Sequence, residues 1–209
     1  MSTMTLYTNP HSRGVTVSWM LAECGQTHEY IPLAFKTEMK SAEYLKLNPA
    51  GKVPTLVHDD IVISETAAIV AYLADLHLDK KLAPSLDNPL RGEYYKWLFI
   101  ICNQFEPAMT DVKYKIKLSD EMRFALGYPE LSVLEKQVTD VLSKRPYLLG
   151  KDFSAVDIML VALLAAASEY TKIMPLNDVL AAYYQKAITR PAFIEAQKLN
   201  TNMAKEMGL

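Results

Sequence analysis

The chain has 209 residues, with 22 Lys and Arg against 24 Asp and Glu and a formal net charge of −2. Half of the residues are apolar and 22% are charged, a globular composition that excludes a disordered, collagen-like or disulfide-scaffold chain. The near-neutral balance argues against a nucleic-acid partner, which would call for a basic face, and the length suits one large domain or two small ones.

The opening segment MSTMTLYTNPHSR carries no charged start followed by an apolar stretch, so no secretory leader is expected. Met4 to Thr8 reads as a short extended run that stops at Asn9-Pro10. Ser12 to Cys24 has helical spacing through Val15, Val17, Trp19, Met20 and Leu21, and Gly25 ends it. His28 to Leu33 alternates weakly, as a strand does. Ser41 to Leu47 is a short helix closed by Asn48-Pro49, because the residue before proline avoids the helical region. Val53 to His58 and Ile61 to Ser64 are two β runs joined by a tight turn at Asp59-Asp60. Glu65 to His77 is helical, with Ile69, Tyr72, Leu73 and Leu76 on one stripe. The order β-α-β, then α-β-β-α, predicts a small mixed sheet in an α+β domain over residues 1–78.

Residues 79–88 are polar and proline-bearing, which is linker composition. No strand pattern follows, and 89–209 reads as an all-helical domain. Helices are expected from Pro89 to about Leu118, from about Glu121 to Lys144, over Ser154 to Thr171, from Pro175 to about Ile188, and after Pro191. Pro107 falls inside the first of these and should kink it. The longest apolar run, Ile158 to Ala167, falls short of the roughly 20 residues a membrane span needs. It is expected to be a buried helix, with no membrane association. The segment FSAVDI carries a capping box: Ser154 is the N-cap and Asp157 the third helical residue, flanked by a Phe153–Ile158 staple. This is a folding device, and losing Ser154 should cost about 1 kcal/mol.

Cys24 and Cys102 lie far apart and form no CxxC pair, which fits a reducing, cytoplasmic setting. Both lie on apolar helix faces and read as packed rather than reactive. His11, His28, His58 and His77 share no metal-ligand spacing, so no metal site is expected.

Three motifs stand out: NPAGKVPTLV before the third strand, SETAAIVAYL at a strand-to-helix turn, and FSAVDI. Together with the element order, they resemble the cytosolic glutathione S-transferase family over nearly the whole chain. The resemblance implies a thioredoxin-like N-terminal domain with a mixed four-stranded sheet, followed by an all-α bundle. It implies a homodimer that binds glutathione and conjugates it to a hydrophobic electrophile, with glutathione as co-substrate and no metal. Glutathione-dependent peroxide reduction at the same site, or a non-catalytic relative that only binds, are the alternatives.

The same resemblance implies roles for particular residues. Val53-Pro54 matches the family's cis-proline, whose preceding backbone grips the cysteinyl unit of glutathione. Glu65 and Thr66 match the pair that meets the γ-glutamyl head; a helix N-terminus there suits a carboxylate. Lys40 lies where the plant phi class has a lysine for the glycine carboxylate, and Lys52 is a second candidate. The family works by ionising the bound thiol, since the thiolate is the nucleophile. Ser12 stands at the offset used by the serine-type classes and is the expected catalytic residue. Tyr7 is the rival, one place off the tyrosine-type position, and Asn9 is a third candidate through its amide N–H. Arg13 occupies the beta-class cysteine position, which argues against disulfide exchange through an enzyme thiol. Phe105, Met109, Tyr114 and Met122 are apolar residues that could line a second-substrate pocket, and none is assigned to it.

Overall fold

The structure is a computed structural model that describes residues 3–209. Its first segment builds a four-stranded sheet from β1 (Met4–Thr8), β2 (Glu29–Pro32), β3 (Thr55–His58) and β4 (Ile61–Ser64), in the order β2-β1-β3-β4. β1 and β2 are parallel, connected through α1 (Gly14–Cys24); β1–β3 and β3–β4 are antiparallel. The β3–β4 hairpin pairs His58 with Ile61, so Asp59-Asp60 forms a two-residue turn, with Asp59 at φ 52°. Two-residue hairpin turns need positive φ, which Asp tolerates. α2 (Ala42–Leu47) precedes β3 and α3 (Thr66–Leu76) follows β4. Leu6, Val17, Met20, Leu21, Leu56, Ile69, Val70 and Leu73 are buried and form the core of this segment. Strand alternation and helical stripe bring them to the same interior.

The helical part begins with α4 (Leu90–Ile100) and α5 (Glu106–Tyr114). α6 (Asp120–Ala125), α7 (Leu131–Leu142), α8 (Ala155–Ala165), α9 (Asp178–Ile188) and α10 (Pro191–Glu206) follow. Two expected helices are interrupted. The stretch from Pro89 opens into a π-helical turn at Ile101–Phe105, just ahead of Pro107, and ends at Tyr114. Proline has no N–H to continue the ladder, and a wide turn absorbs the loss. The segment expected as one helix from 121 to 144 is two, parted at 126–130, where Gly127 and Pro129 disfavour a continuous helix. α8 ends in another π turn at Ala166–Tyr170, and its apolar run is almost entirely buried.

The chain divides into two compact units, one running to Lys81 together with Ile188–Leu209, the other Leu82–Ala187. The last helix therefore joins the first unit, where residues 89–209 were expected to form one domain. Its attachment is specific. Arg190 Nε and Nη2 donate to Glu23 Oε1 and Oε2 at 2.6 and 2.7 Å, a bidentate pair between α1 and the entry to α10. Trp19 Nε1 donates to the same Glu23 at 3.0 Å, and the Trp19 ring meets Phe193 edge-on at 5.0 Å. In the second unit, Tyr94, Trp97, Phe105, Leu134, Leu148 and Leu160 are buried. No helix among the described residues is long and apolar enough to cross a membrane.

Candidate functional site

Strand register assembles the site. Tyr7 pairs with Thr55, and Thr55 pairs with Ser64. The chain therefore leaves β1 after Thr8, enters β3 from Val53-Pro54, and leaves β4 into Glu65-Thr66 at one end of the sheet. Two of the segments singled out by motif, NPAGKVPTLV and SETAAIVAYL, thus share this end of the sheet with the exit from β1, although all three are remote in sequence. The N-termini of α1 and α3 follow β1 and β4 at this end. Neither helix has an acidic side chain in its first turn. Both starts thus lack an internal acid that would offset the positive end of the helix, although at α1 the N–H groups of Gly14, Val15 and Thr16 are taken by Ser12 Oγ, Ser12 O and Arg13 O.

The loop from β1 into α1 is held by Asn9, which is buried. Its Nδ2 donates to Leu33 O at 2.8 Å and its Oδ1 accepts from His11 N–H at 2.9 Å. Its carbonyl accepts the Ser12 N–H at 3.0 Å and the Ser12 hydroxyl at 2.7 Å. The Asn9 side chain is thereby committed to loop geometry. Ser12 is half-buried and lies one residue before the helix N-cap, Arg13, rather than at the cap itself. Its Oγ nevertheless accepts the N–H of Gly14, the first helical residue, at 3.0 Å. Tyr7 is half-buried in β1; its ring lies 5.7 Å from that of Tyr44 and packs on the cluster of Leu33, Met39 and Tyr44.

The Val53–Pro54 peptide is cis, as the resemblance implies. A polar network that the sequence did not announce holds the loop before it. Tyr44 O–H donates to Lys52 O at 2.5 Å and shares a hydrogen bond with Thr55 Oγ1 at 2.8 Å. Asn48 Nδ2 donates to Lys52 O and Thr55 Oγ1 at 2.9 and 3.0 Å, and Asn48 Oδ1 accepts Ala50 N–H at 3.1 Å. Burial pushes the Tyr44 phenol up, so it stays a neutral donor. Only a tyrosine in a short amphipathic helix and an asparagine before proline hinted at these anchors, and both read as ordinary local structure. Lys40 is exposed and its Nζ donates to Gly51 O at 2.8 Å, leaving two donors on the ammonium. Lys52 is also exposed.

Glu65 is the N-cap of α3 at φ 70°, ψ 117° and is exposed, while Thr66 is buried. A non-glycine residue in that region costs on the order of 1–3 kcal/mol and persists where its surroundings enforce it. Such strain marks sites more often than surfaces. Of the remaining candidates, Phe105 is fully buried in its own unit, Met109 is half-buried, and Tyr114 and Met122 are exposed. The cysteines are free thiols. Burial pushes the Cys24 thiol up to about 12, which keeps it unreactive. Among the described residues, no group of three or more His, Cys, Asp or Glu could hold a metal ion.

Comparison with known proteins agrees with this geometry. The family model for the glutathione S-transferase N-terminal domain matches residues 2–75. Glutathione S-transferase 2 of Schizosaccharomyces pombe is 34% identical over 187 residues, covering 77% of this chain and 74% of that protein. Glutathione S-transferase 3 of Zea mays is 28% identical over 210 residues, with 92% of each chain covered. The structure of a sphingomonad glutathione S-transferase complexed with glutathione superposes with a TM-score of 0.78 at 26% identity, over 94% of this chain and 98% of that one. The chain belongs to the glutathione S-transferase family.

Proposed function

We propose that this glutathione transferase binds glutathione at the β1–β3–β4 end of its sheet and stabilises the thiolate through Ser12. The observation that carries the assignment is the place of the Ser12 hydroxyl. It is half-buried, 3.0 Å from the first N–H of α1, at a helix start with no acidic residue in its first turn. A free thiol ionises near pH 8.5, and lowering that by about two units takes about 3 kcal/mol of selective stabilisation. A hydrogen bond to a charged group contributes about 1.5–3 kcal/mol. A helix N-terminus adds about 0.3–1 kcal/mol. Together they reach the required range. For Ser12 to serve, its hydroxyl must turn from the Asn9 carbonyl to the sulfur. That carbonyl keeps the Ser12 N–H, so the turn leaves no buried acceptor unpaired. Tyr7 is the weaker candidate because its ring is packed in the Leu33–Met39–Tyr44 cluster.

The rest of the tripeptide has matching groups. The Val53 backbone beside the cis peptide suits pairing with the cysteinyl unit. The α3 N-terminus with Thr66 suits the γ-glutamyl carboxylate, and the exposed Glu65 carboxylate suits its ammonium. Lys40 and Lys52 suit the glycine carboxylate. The loop carrying Val53 and Pro54 is braced by Tyr44 and Asn48, so these backbone groups are positioned before ligand arrives. The reading includes a hydrophobic electrophile as second substrate, a homodimer and a cytoplasmic location.

Ser12→Ala tests the assignment. The bound thiol, followed by thiolate ultraviolet absorbance against pH, should ionise about one to two units higher. Turnover of an aryl halide should fall roughly 10- to 100-fold while glutathione is still retained. An unchanged titration would move the role to another group.

A further inference from the structure

We propose that Thr8 is a positioning residue for Ser12: its buried hydroxyl donates to Ser12 Oγ once Ser12 has turned its own hydrogen toward sulfur. The inference rests on the Ser12 reading above and deepens it.

Thr8 closes β1 and is fully buried, yet its Oγ1 has no hydrogen-bond partner among the described residues. A buried hydroxyl without a partner is disfavoured, and a valine would fill the same volume in a strand without that penalty. The position of the hydroxyl suggests what it is for. A Cβ built on Gly14 would lie 1.9 Å from Thr8 Oγ1 and 3.0 Å from Ser12 Oγ. The two hydroxyls thus flank the same point at the start of α1, within about 5 Å of each other, a gap that a rotamer change can close to hydrogen-bond length. Only glycine at position 14 leaves room for this approach.

The donor count then works in both states. At rest, Ser12 gives its hydrogen to Asn9 O and its oxygen accepts from Gly14 N–H. When the Ser12 hydrogen turns to the sulfur, its oxygen still accepts from Gly14 and has one acceptor position left. Thr8 O–H is the adjacent hydroxyl with no partner of its own. Each donor onto Ser12 Oγ polarises the Ser12 O–H and strengthens its bond to the thiolate. No proton passes through the pair: the thiol proton leaves to solvent, and both hydroxyls stay neutral. The partnerless state of Thr8 is thereby relieved when the thiolate forms, which adds its satisfaction to the bound, ionised state selectively.

The test is the near-isosteric Thr8→Val, with Thr8→Ser as the variant that keeps the hydroxyl. Thr8→Val should raise the ionisation of enzyme-bound glutathione by about half a pH unit, a roughly threefold loss of thiolate below the midpoint. The pH profile of kcat/KM should shift equally, while the melting temperature holds or rises. Thr8→Ser should restore the wild-type titration, and in a Ser12→Ala background Thr8→Val should leave the titration unmoved. A Thr8→Val enzyme that titrates like wild type while Ser12→Ala is shifted overturns the role of Thr8 and leaves Ser12 standing. A titration unmoved by Ser12→Ala as well overturns both.

Discussion

Helices α1 and α8 both begin beside a serine, and the surroundings of the two serines differ. At α8 the Ser154 site is closed. Both arms of the capping box are made, the Ser154 N–H and hydroxyl reach Asp157 Oδ2 at 2.9 and 2.7 Å, and serine and acid are both buried. Asp157 Oδ1 accepts Leu148 N–H and Tyr183 O–H, each at 2.9 Å. The helix start is met by a negative group from its own first turn. At α1 the first turn has no acid, Ser12 is half-buried, and the buried Thr8 hydroxyl near it has no partner among the described residues. The same dipole and the same residue type thus stabilise the fold where the anion is internal and, in the function proposed above, serve a bound anion where it is not.

The largest effect that would separate the two sites is Asp157→Asn. An amide NH2 replaces an oxygen that accepts from buried donors, so some are left unpaired. Stability should fall by about 3 kcal/mol or more, read from the denaturant midpoint, with the bound-thiol titration unchanged. The same variant gives a pH axis. Burial raises the Asp157 carboxyl above its usual value, against the lowering effect of its four donors. A raised folded value means that the protonated form is favoured by folding. Its contribution is complete below the ordinary aspartate range and is lost as pH rises through the folded value. Stability of the wild type relative to Asp157→Asn should therefore decline as pH rises through that window. A flat difference would mean that the donors balance burial, and a rising one that they outweigh it.

Next in size is Gly14→Ala. The new methyl would meet Thr8 Oγ1 at 1.9 Å, on a strand that cannot easily retreat. Overpacking of this kind costs about 1–3 kcal/mol. Unlike Asp157→Asn, it should also disturb the thiol titration, because the crowded atoms are those beside Ser12. A stable variant with a normal titration would show that the α1 entrance tolerates a wider gap than the structure has.

Legibility in the sequence followed the range of the interactions. The β-α-β-α-β-β-α order, the Asp59-Asp60 turn and the α8 cap depend on neighbours within a few residues, and each could be read directly. Pro107 marked a break in the first long helix but not its form, a π turn at Ile101–Phe105, and the π turn at Ala166–Tyr170 had no such marker because only the ladder changes there. The attachment of α10 to α1 depends on Arg190 meeting Glu23, 167 positions away, and a surface-type charge pair has no local signature. The candidate site shows the same division. NPAGKVP and SET mark their segments by motif, yet only the strand register shows that they share an end with Ser12. Tyr44 and Asn48 escaped notice because they act on backbone carbonyls of a loop, which side-chain patterns do not reveal. Thr8 escaped because a threonine in a strand is unremarkable until its hydroxyl is found buried and alone.

The smallest expected effect is also the sharpest on the comparison: Val15→Glu, which would give α1 the acid that α8 already has. Position 15 stands three residues after Ser12, the spacing of Asp157 from Ser154. Val15 is half-buried in the first turn, so a glutamate there can turn its carboxylate outward. For the fold alone, an acid at a helix start is worth about 0.3–1 kcal/mol, offset by the lost valine packing, and the melting temperature should hardly move. For the site, the carboxylate would offset the positive end of α1 and repel the thiolate. The bound thiol should then ionise about half a unit to one unit higher. If that titration stays put while stability is unchanged, the positive end of α1 contributes little to ionising the sulfur. The Ser12 hydroxyl would then have to supply nearly all of the stabilisation.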